Sequence, residues 1–312
     1  MRIKKRSFIG LLNNNNFVGY TFIFPWIMGF LLFMAIPMII SIFMSFRDYN
    51  LIGDMFKYSK FVGLKNYIWL FFKDEKFYAS IRVTFFFVLT AVPLRLSFAL
   101  LVALILNKRG VKTGVYKTIY YLPSIIGSSV AIAIVWREMF GTNGIINKIA
   151  YMFGYENTMF TLINNIHTAI WVVILLYVWE FGSSMLIFLA GIQNIPDTYY
   201  EAAVVEGVGF WKKLFHITLP LLSPIILFNL IMQTIHGFLV FTQVYIISNG
   251  QGSPLKRTLV YALYMYQRAF MYSDMGAASA MAWIMLVIIA GVTGLIFFTS
   301  KFWVFYESKE GI

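Results

Sequence analysis

EAAVVEGVGFWKKLFHITLP, Glu201 to Pro220, stands between two long apolar runs and reads like neither of them. It is short and polar and carries glycines at 207 and 209, whereas the flanking runs, approximately 168–190 and 221–247, are nearly uncharged. A hydrocarbon core about 30 Å thick takes about 20 apolar residues as helix, and both runs reach that length. Working outward, four more runs qualify, at approximately 18–45, 83–106, 119–139 and 278–300. The expected fold is therefore an all-α membrane protein of six transmembrane helices, with the quoted stretch as a surface helix-turn-helix between spans four and five.

Composition points the same way. Of 312 residues, 60% are hydrophobic and only 12% charged, where a soluble domain carries roughly a quarter charged residues. Net charge is +12, but the basic residues fall between the apolar runs rather than along one face. That pattern suits topology signals and anionic lipid headgroups and argues against nucleic acid. Cysteine is absent, which excludes disulfides, thiolate metal sites and cysteine nucleophiles. With no soluble domain, low-complexity linker or internal repeat in view, residues 1–312 are expected to form one membrane domain. The opening MRIKKR resembles the start of a signal peptide. The apolar run behind it is too long for one and lacks a small-residue cleavage site, so it is expected to remain as the first span. Pro25 and Pro37 should kink that span, and Pro93 and Pro123 should bend the second and third.

Charge alone orients the chain weakly. With the N-terminus inside, twelve Lys and Arg residues fall on each side, Arg95 lying within a span. Charges near span ends weigh most. Residues 107–118 hold four basic side chains and no acid, whereas 47–82 dilutes its basic residues with Asp48, Asp54, Asp74 and Glu75. An inside N-terminus is favoured.

Where the quoted stretch begins, Glu201 and the preceding Thr198 have capping-box spacing, which predicts a helix from about 199 to 206. Gly207 and Gly209 should break it by taking positive φ. A second helical turn through WKKLFHI follows, and Pro220 stands at a favoured first position of the fifth span. Tyr200, Val204, Gly207 and Trp211 share one face.

Glu-Ala-Ala, three residues, Gly, nine residues, Ile, one residue, Leu-Pro is similar to the signature loop of permease subunits of binding-protein-dependent ABC importers. Glu201, Ala202, Ala203, Gly207, Ile217, Leu219 and Pro220 fit that spacing. FVGLKNY (Phe61–Tyr67), YLPSIIGSSVAIAIVWREMFGTNGIIN (Tyr121–Asn147) and SNGQGSP followed by Thr258 resemble segments of sugar-importer permeases of the maltose and glycerol-phosphate type. Two positions depart from the usual pattern: Glu206 replaces the common Asp, and Val208 a small residue. The resemblance implies that the loop is cytoplasmic, that both termini are too, and that the chain sits in a bacterial cytoplasmic membrane. Glu201, Ala202, Ala203, Glu206, Gly207, Ile217, Leu219 and Pro220 would couple it to an ATPase. The implied partners are a second permease subunit, either a different chain or a copy of this one, two ATPase subunits and an extracytoplasmic substrate-binding protein. ATP and magnesium would be bound by the ATPase, leaving this chain without a cofactor of its own and without enzymatic activity.

The sequence has no G-x-x-x-x-G-K-[ST] phosphate loop. His167, His216 and His236 lack metal-ligand spacing, so no metal site is expected. GSSVA from Gly127 and GAASA from Gly276 suit close helix packing. Ionisable groups inside spans are costly and point to function. Arg95 and Glu180 each lie twelve residues into their spans and so share a depth. Gln233 and His236 fall midway along the fifth span, and Tyr177, Trp179, Ser183 and Ser184 add polar and aromatic groups. Two readings stay open: a structural ion pair, or a sugar path lined by Arg95, Tyr177, Trp179, Glu180, Ser183, Ser184, Gln233 and His236. The alternative function is a secondary transporter with Arg95, Glu180 and His236 as a polar relay. A membrane enzyme lacks catalytic spacing, and a channel would leave Glu201–Pro220 unexplained.

Overall fold

A computed structural model describes residues 15–49, 59–107, 113–154 and 162–305. The basic residues Arg2, Lys4, Lys5, Arg6, Lys108, Arg109 and Lys112, which weigh in the topology argument, lie outside that range. The described residues are mostly helical. Four stretches are long and apolar enough to cross a bilayer alone: Gly19–Ser45, Glu75–Leu106, Phe210–Ile247 and Met275–Ser300. Two bent pairs, 114–126 with 130–152 and 169–179 with 182–193, bring the number to six if each pair crosses once.

The chain forms two compact units. In the one built from residues 1–69 and 268–283, α1 (Asn15–Phe30) continues through a π turn, Leu31–Ala35, into α2 (Ile36–Ser45). The π turn lies just before Pro37, and the Ile36 amide closes it on the Leu31 carbonyl. A wider turn accommodates a ring that removes a helical donor and crowds the preceding turn. Strands β1 (Arg47–Asp48) and β2 (Lys60–Phe61) pair antiparallel. The FVGLKNY segment, which leads into α3 (Lys65–Lys73), secures them. The Asn66 amide donates to the Ser45 and Arg47 carbonyls at 2.9 Å each, and the Tyr67 hydroxyl to Ser45 Oγ at 2.9 Å. Gly276, first residue of GAASA, has the Arg47 carbonyl where a Cβ would stand. Close approach is thus the reason for a small residue there.

The second unit comprises residues 70–267 and 284–312. Its centre is α4 (Glu75–Leu106), which packs against α8 (Ala169–Trp179), α9 (Gly182–Gln193), α12 (Leu219–Phe238) and α14 (Tyr261–Tyr266). Helix α4 begins eight residues before the expected second span because the Asp74 carboxylate caps it, accepting from the Lys76 and Phe77 amides at 3.0 and 3.4 Å. Asp74 also accepts from the buried Tyr264 hydroxyl. Pro93 lies inside α4 without ending it.

Two expected spans are not single rods. The third, 119–139, divides at residues 127–129 into α5 (Thr113–Ile126) and α6 (Val130–Phe140), with a 92° bend. Ser129 caps α6 through its hydroxyl, which accepts from the Ile132 amide at 3.3 Å. The break thus falls beyond Pro123, at a glycine and a capping serine. The fourth, 168–190, divides at Glu180–Phe181 with a 43° bend. The fifth is longer than expected, since helix runs on from Phe210. Residues 239–241 interrupt it, before α13 (Thr242–Ile247). Between α6 and α8 stands a short helix, α7 (Ile145–Met152).

Candidate functional site

In the signature stretch, α10 (Asp197–Val205) leads through a turn into α11 (Phe210–Lys213), a π turn at Leu214–Thr218, and α12. The expected capping box is absent: Pro196 is the N-cap, without a side-chain hydrogen bond, and Thr198 lies inside the helix. The proline sets the extended entry, and Asp197 places negative charge on the positive helix end. The helix stops in a Schellman arrangement. The Gly207 amide donates to the Val204 carbonyl at 3.0 Å and the Val208 amide to Ala203 at 2.9 Å. Gly207 has φ +72°, a conformation glycine adopts without strain. Gly209 does not share that role: its φ is −70° with ψ 167°, ordinary extended backbone. The π turn repeats the device seen at Pro37, the Leu219 amide closing on the Leu214 carbonyl just before Pro220.

The Tyr200 hydroxyl and Thr218 Oγ1, 3.0 Å apart, tie α10 to the root of the fifth span. Ala203 is buried, whereas Glu201, Ala202 and Glu206 are exposed and Ile217, Leu219 and Pro220 are half-buried. Val205 is 89% exposed and Trp211 69%. Beside this surface lies a cleft of about 850 Å³, lined by Tyr200, Glu201, Val204, Phe210 and Lys213 together with Leu104 and Asn107 at the end of α4.

The intramembrane groups converge on the break at Glu180. Arg95 and Glu180 are 6% and 8% exposed, with Arg95 Nη1 3.9 Å from Glu180 Oε2. Arg95 Nη2 also donates to the Glu180 backbone carbonyl, left free where α8 ends. The guanidinium lies over the Tyr177 ring at 4.5 Å, and the Tyr177 hydroxyl donates to the Gln233 carbonyl at 2.9 Å. Ser124 Oγ donates to the Glu180 carbonyl at 2.9 Å and accepts from the Ser183 amide at 3.0 Å. Gln243 Nε2 donates to Glu180 Oε1 at 3.2 Å. Gly127 and Gly182 permit the approach: a Cβ on the first would overlap Glu180 Cγ, and one on the second would stand 2.8 Å from Ser124 Oγ. Three helix breaks, at 127–129, 180–181 and 239–241, therefore meet around one carboxylate.

Of the eight residues expected along a path, Arg95, Tyr177, Glu180, Ser183 and Gln233 are brought together. Trp179 instead tilts against Trp136, ring centroids 5.6 Å apart. Ser184 is fully buried, its hydroxyl without a partner. His236 is exposed and makes no hydrogen bond to the cluster. Sequence reasoning missed Ser124 and Gln243. Gln243 had a visible signal, an amide within an apolar run; Ser124 had none. No group of His, Cys, Asp or Glu suited to a metal occurs among the described residues.

These features define a polytopic helical membrane protein with a polar clamp inside it and a glycine-turned loop at the foot of its fifth span. The profile of the "Binding-protein-dependent transport system inner membrane component" family matches residues 83–302, and the chain belongs to that family. It is 53% identical to the "Probable ABC transporter permease protein YesP" of Bacillus subtilis, over 96% of this chain and 95% of the relative. It is 32% identical to the "Arabinooligosaccharides transport system permease protein AraP" of the same organism, over 93% of this chain and 90% of that one. Among solved structures it is similar in fold to a chain of the "bacterial alginate ABC transporter in complex with alginate pentasaccharide-bound periplasmic protein". The TM-score is 0.76 at 22% identity, over 95% of this chain and 98% of the other.

Proposed function

We propose that this chain forms half of the translocation pore of an ATP-driven importer for a sugar or oligosaccharide. In this reading it has six spans, cytoplasmic termini and a cytoplasmic helix-turn-helix at 197–220 that docks on a partner ATPase. A second permease chain completes the pore, two ATPase subunits bind ATP and magnesium, and an extracytoplasmic binding protein delivers the substrate. The relatives' printed cargoes support the substrate class, and the binding protein follows the assembly named for the alginate importer.

One observation carries the coupling role. The turn at Gly207 holds Val205 and Glu206 on one side and Phe210 and Trp211 on the other, all exposed. Apolar side chains gathered at the surface of a loop mark a contact with another protein. Since α11 runs through the π turn into α12 without a break, and Tyr200 is bonded to Thr218, a push on the turn reaches the fifth span directly. Closure of the ATPase dimer would move this loop and switch the pore between inward- and outward-open states. Along the path, the half-buried Trp179 and Ser183 and the exposed His236 are the groups a passing solute can reach. Arg95, Tyr177, Glu180 and Gln233, bonded to one another, brace its wall.

The test contrasts the two glycines. Gly207→Val forces a β-branched residue into left-handed backbone, a cost of roughly 1–2 kcal/mol or more. It should lower uptake and ATPase co-purification while the permease stays in the membrane. Gly209→Ala, at extended backbone with nothing within 4 Å of its Cβ position, should leave both unchanged. Full uptake and full ATPase recovery in Gly207→Val would remove the coupling role.

A further inference from the structure

At the other end of α4 from the signature loop lies a second concavity, of about 290 Å³. Arg82 lines it and Leu104 lines the cleft beside the loop. Twenty-two helical residues at 1.5 Å separate the two by roughly 33 Å, the thickness of a bilayer's hydrocarbon core. Three cationic or titratable nitrogen groups reach the pocket from three separate segments: Arg82 at the start of α4, His167 just before α8, and Arg257 in the loop after α13. Among the described residues no acid lines it. Its remaining wall is apolar, chiefly Phe86, Ile170 and Trp171.

We infer that this pocket holds the phosphate of an anionic phospholipid. Two arginines converging, with no carboxylate among the described lining residues, concentrate positive charge at the site, and a guanidinium fork matches phosphate oxygens. What separates a lipid from a small soluble anion is the surface below the pocket. Phe86 and Trp171 meet edge to face, centroids 6.0 Å apart, joining the outer faces of α4 and α8. One turn deeper, Leu89 is 70% and Leu175 50% exposed. Helical spacing of i,i+3 and i,i+4 places them beneath Phe86 and Trp171, so an apolar strip runs from the basic rim into the hydrocarbon. Tryptophan at that level is the usual anchor at a membrane interface. The headgroup would sit among Arg82, His167 and Arg257 while its acyl chains lie along the strip. The inference holds whichever face of the membrane this pocket occupies.

The test uses the full chain, purified with the subunits that accompany it and stripped of lipid. Its melting temperature is followed as phosphatidylglycerol, or phosphatidylcholine with the same acyl chains, is added. Wild type should be stabilised by phosphatidylglycerol well beyond phosphatidylcholine. Arg82→Gln with Arg257→Gln should raise the half-effective phosphatidylglycerol concentration about 25-fold, roughly fivefold per arginine, and leave the phosphatidylcholine response unchanged. Arg82→Lys with Arg257→Lys should keep most of the response. An unchanged phosphatidylglycerol response in the glutamine pair, or equal responses to the two lipids in wild type, would overturn the inference. So would full stabilisation by inorganic phosphate or by a free uronic acid, lost in the glutamine pair; that result would assign the pocket to a soluble anion.

Discussion

Replacing Glu180 with glutamine tests whether the polar cluster is a clamp. At 3.9 Å from Oε2 to Arg95 Nη1, the pair attracts by about 4 kcal/mol at an effective dielectric constant of about 20. Glutamine keeps the shape and the hydrogen bond from Gln243, but leaves the Arg95 charge unbalanced; a charge inside a span costs about 2.5–3.5 kcal/mol on insertion scales. Part is offset because Arg95 still donates to the residue-180 carbonyl and lies over Tyr177. The expected loss is therefore about 2–3 kcal/mol, or roughly 3–5 °C in detergent melting temperature for a protein of this size. Arg95→Gln should be worse by about 1 kcal/mol, because it also removes one of the two donors to that carbonyl, leaving only Ser124. Combining the two should recover about 2 kcal/mol relative to additivity. Melting temperature and uptake are measured for both single variants and the double. Additive losses, with coupling below about 0.5 kcal/mol, would refute the clamp. Wild-type stability in Glu180→Gln with altered uptake would assign the carboxylate to the substrate instead.

Single cysteines introduced into this cysteine-free chain test orientation: those replacing the exposed Lys65 and Gln251 should react with an impermeant maleimide on intact wall-stripped cells. Those replacing Glu206 and Lys212 should react only after the membrane is opened, and external labelling at 206 would reverse the proposed topology. Gly127→Ala places a methyl group against Glu180 Cγ and should destabilise by about 1–3 kcal/mol through overpacking. Gly154→Ala, with nothing near its Cβ position but φ +87°, would then serve as a backbone-strain control. A melting temperature unchanged in Gly127→Ala would mean that the three helix breaks do not meet as closely as described.

The membrane character, the approximate spans and the signature loop were legible in the order of residues because each rests on local chemistry. Twenty apolar residues in a row need no tertiary partner to prefer lipid, and Gly207 announces a turn through its own missing side chain. Spacing likewise placed Arg95 and Glu180 at one depth, since rise per residue is constant along a helix. Gly209 and the Thr198–Glu201 box misled because the same residue types serve where no positive φ or cap is needed. The breaks at 127–129 and 180–181 were hidden inside apolar runs, where hydropathy is blind to a bend. Only tertiary structure decided that those breaks coincide. A freed carbonyl at Glu180 is tolerable inside a span because Arg95 from α4 and Ser124 from α5 arrive to satisfy it. Partners 85 and 56 residues away in the chain leave no periodic trace in the sequence, since packing and not spacing brings them together.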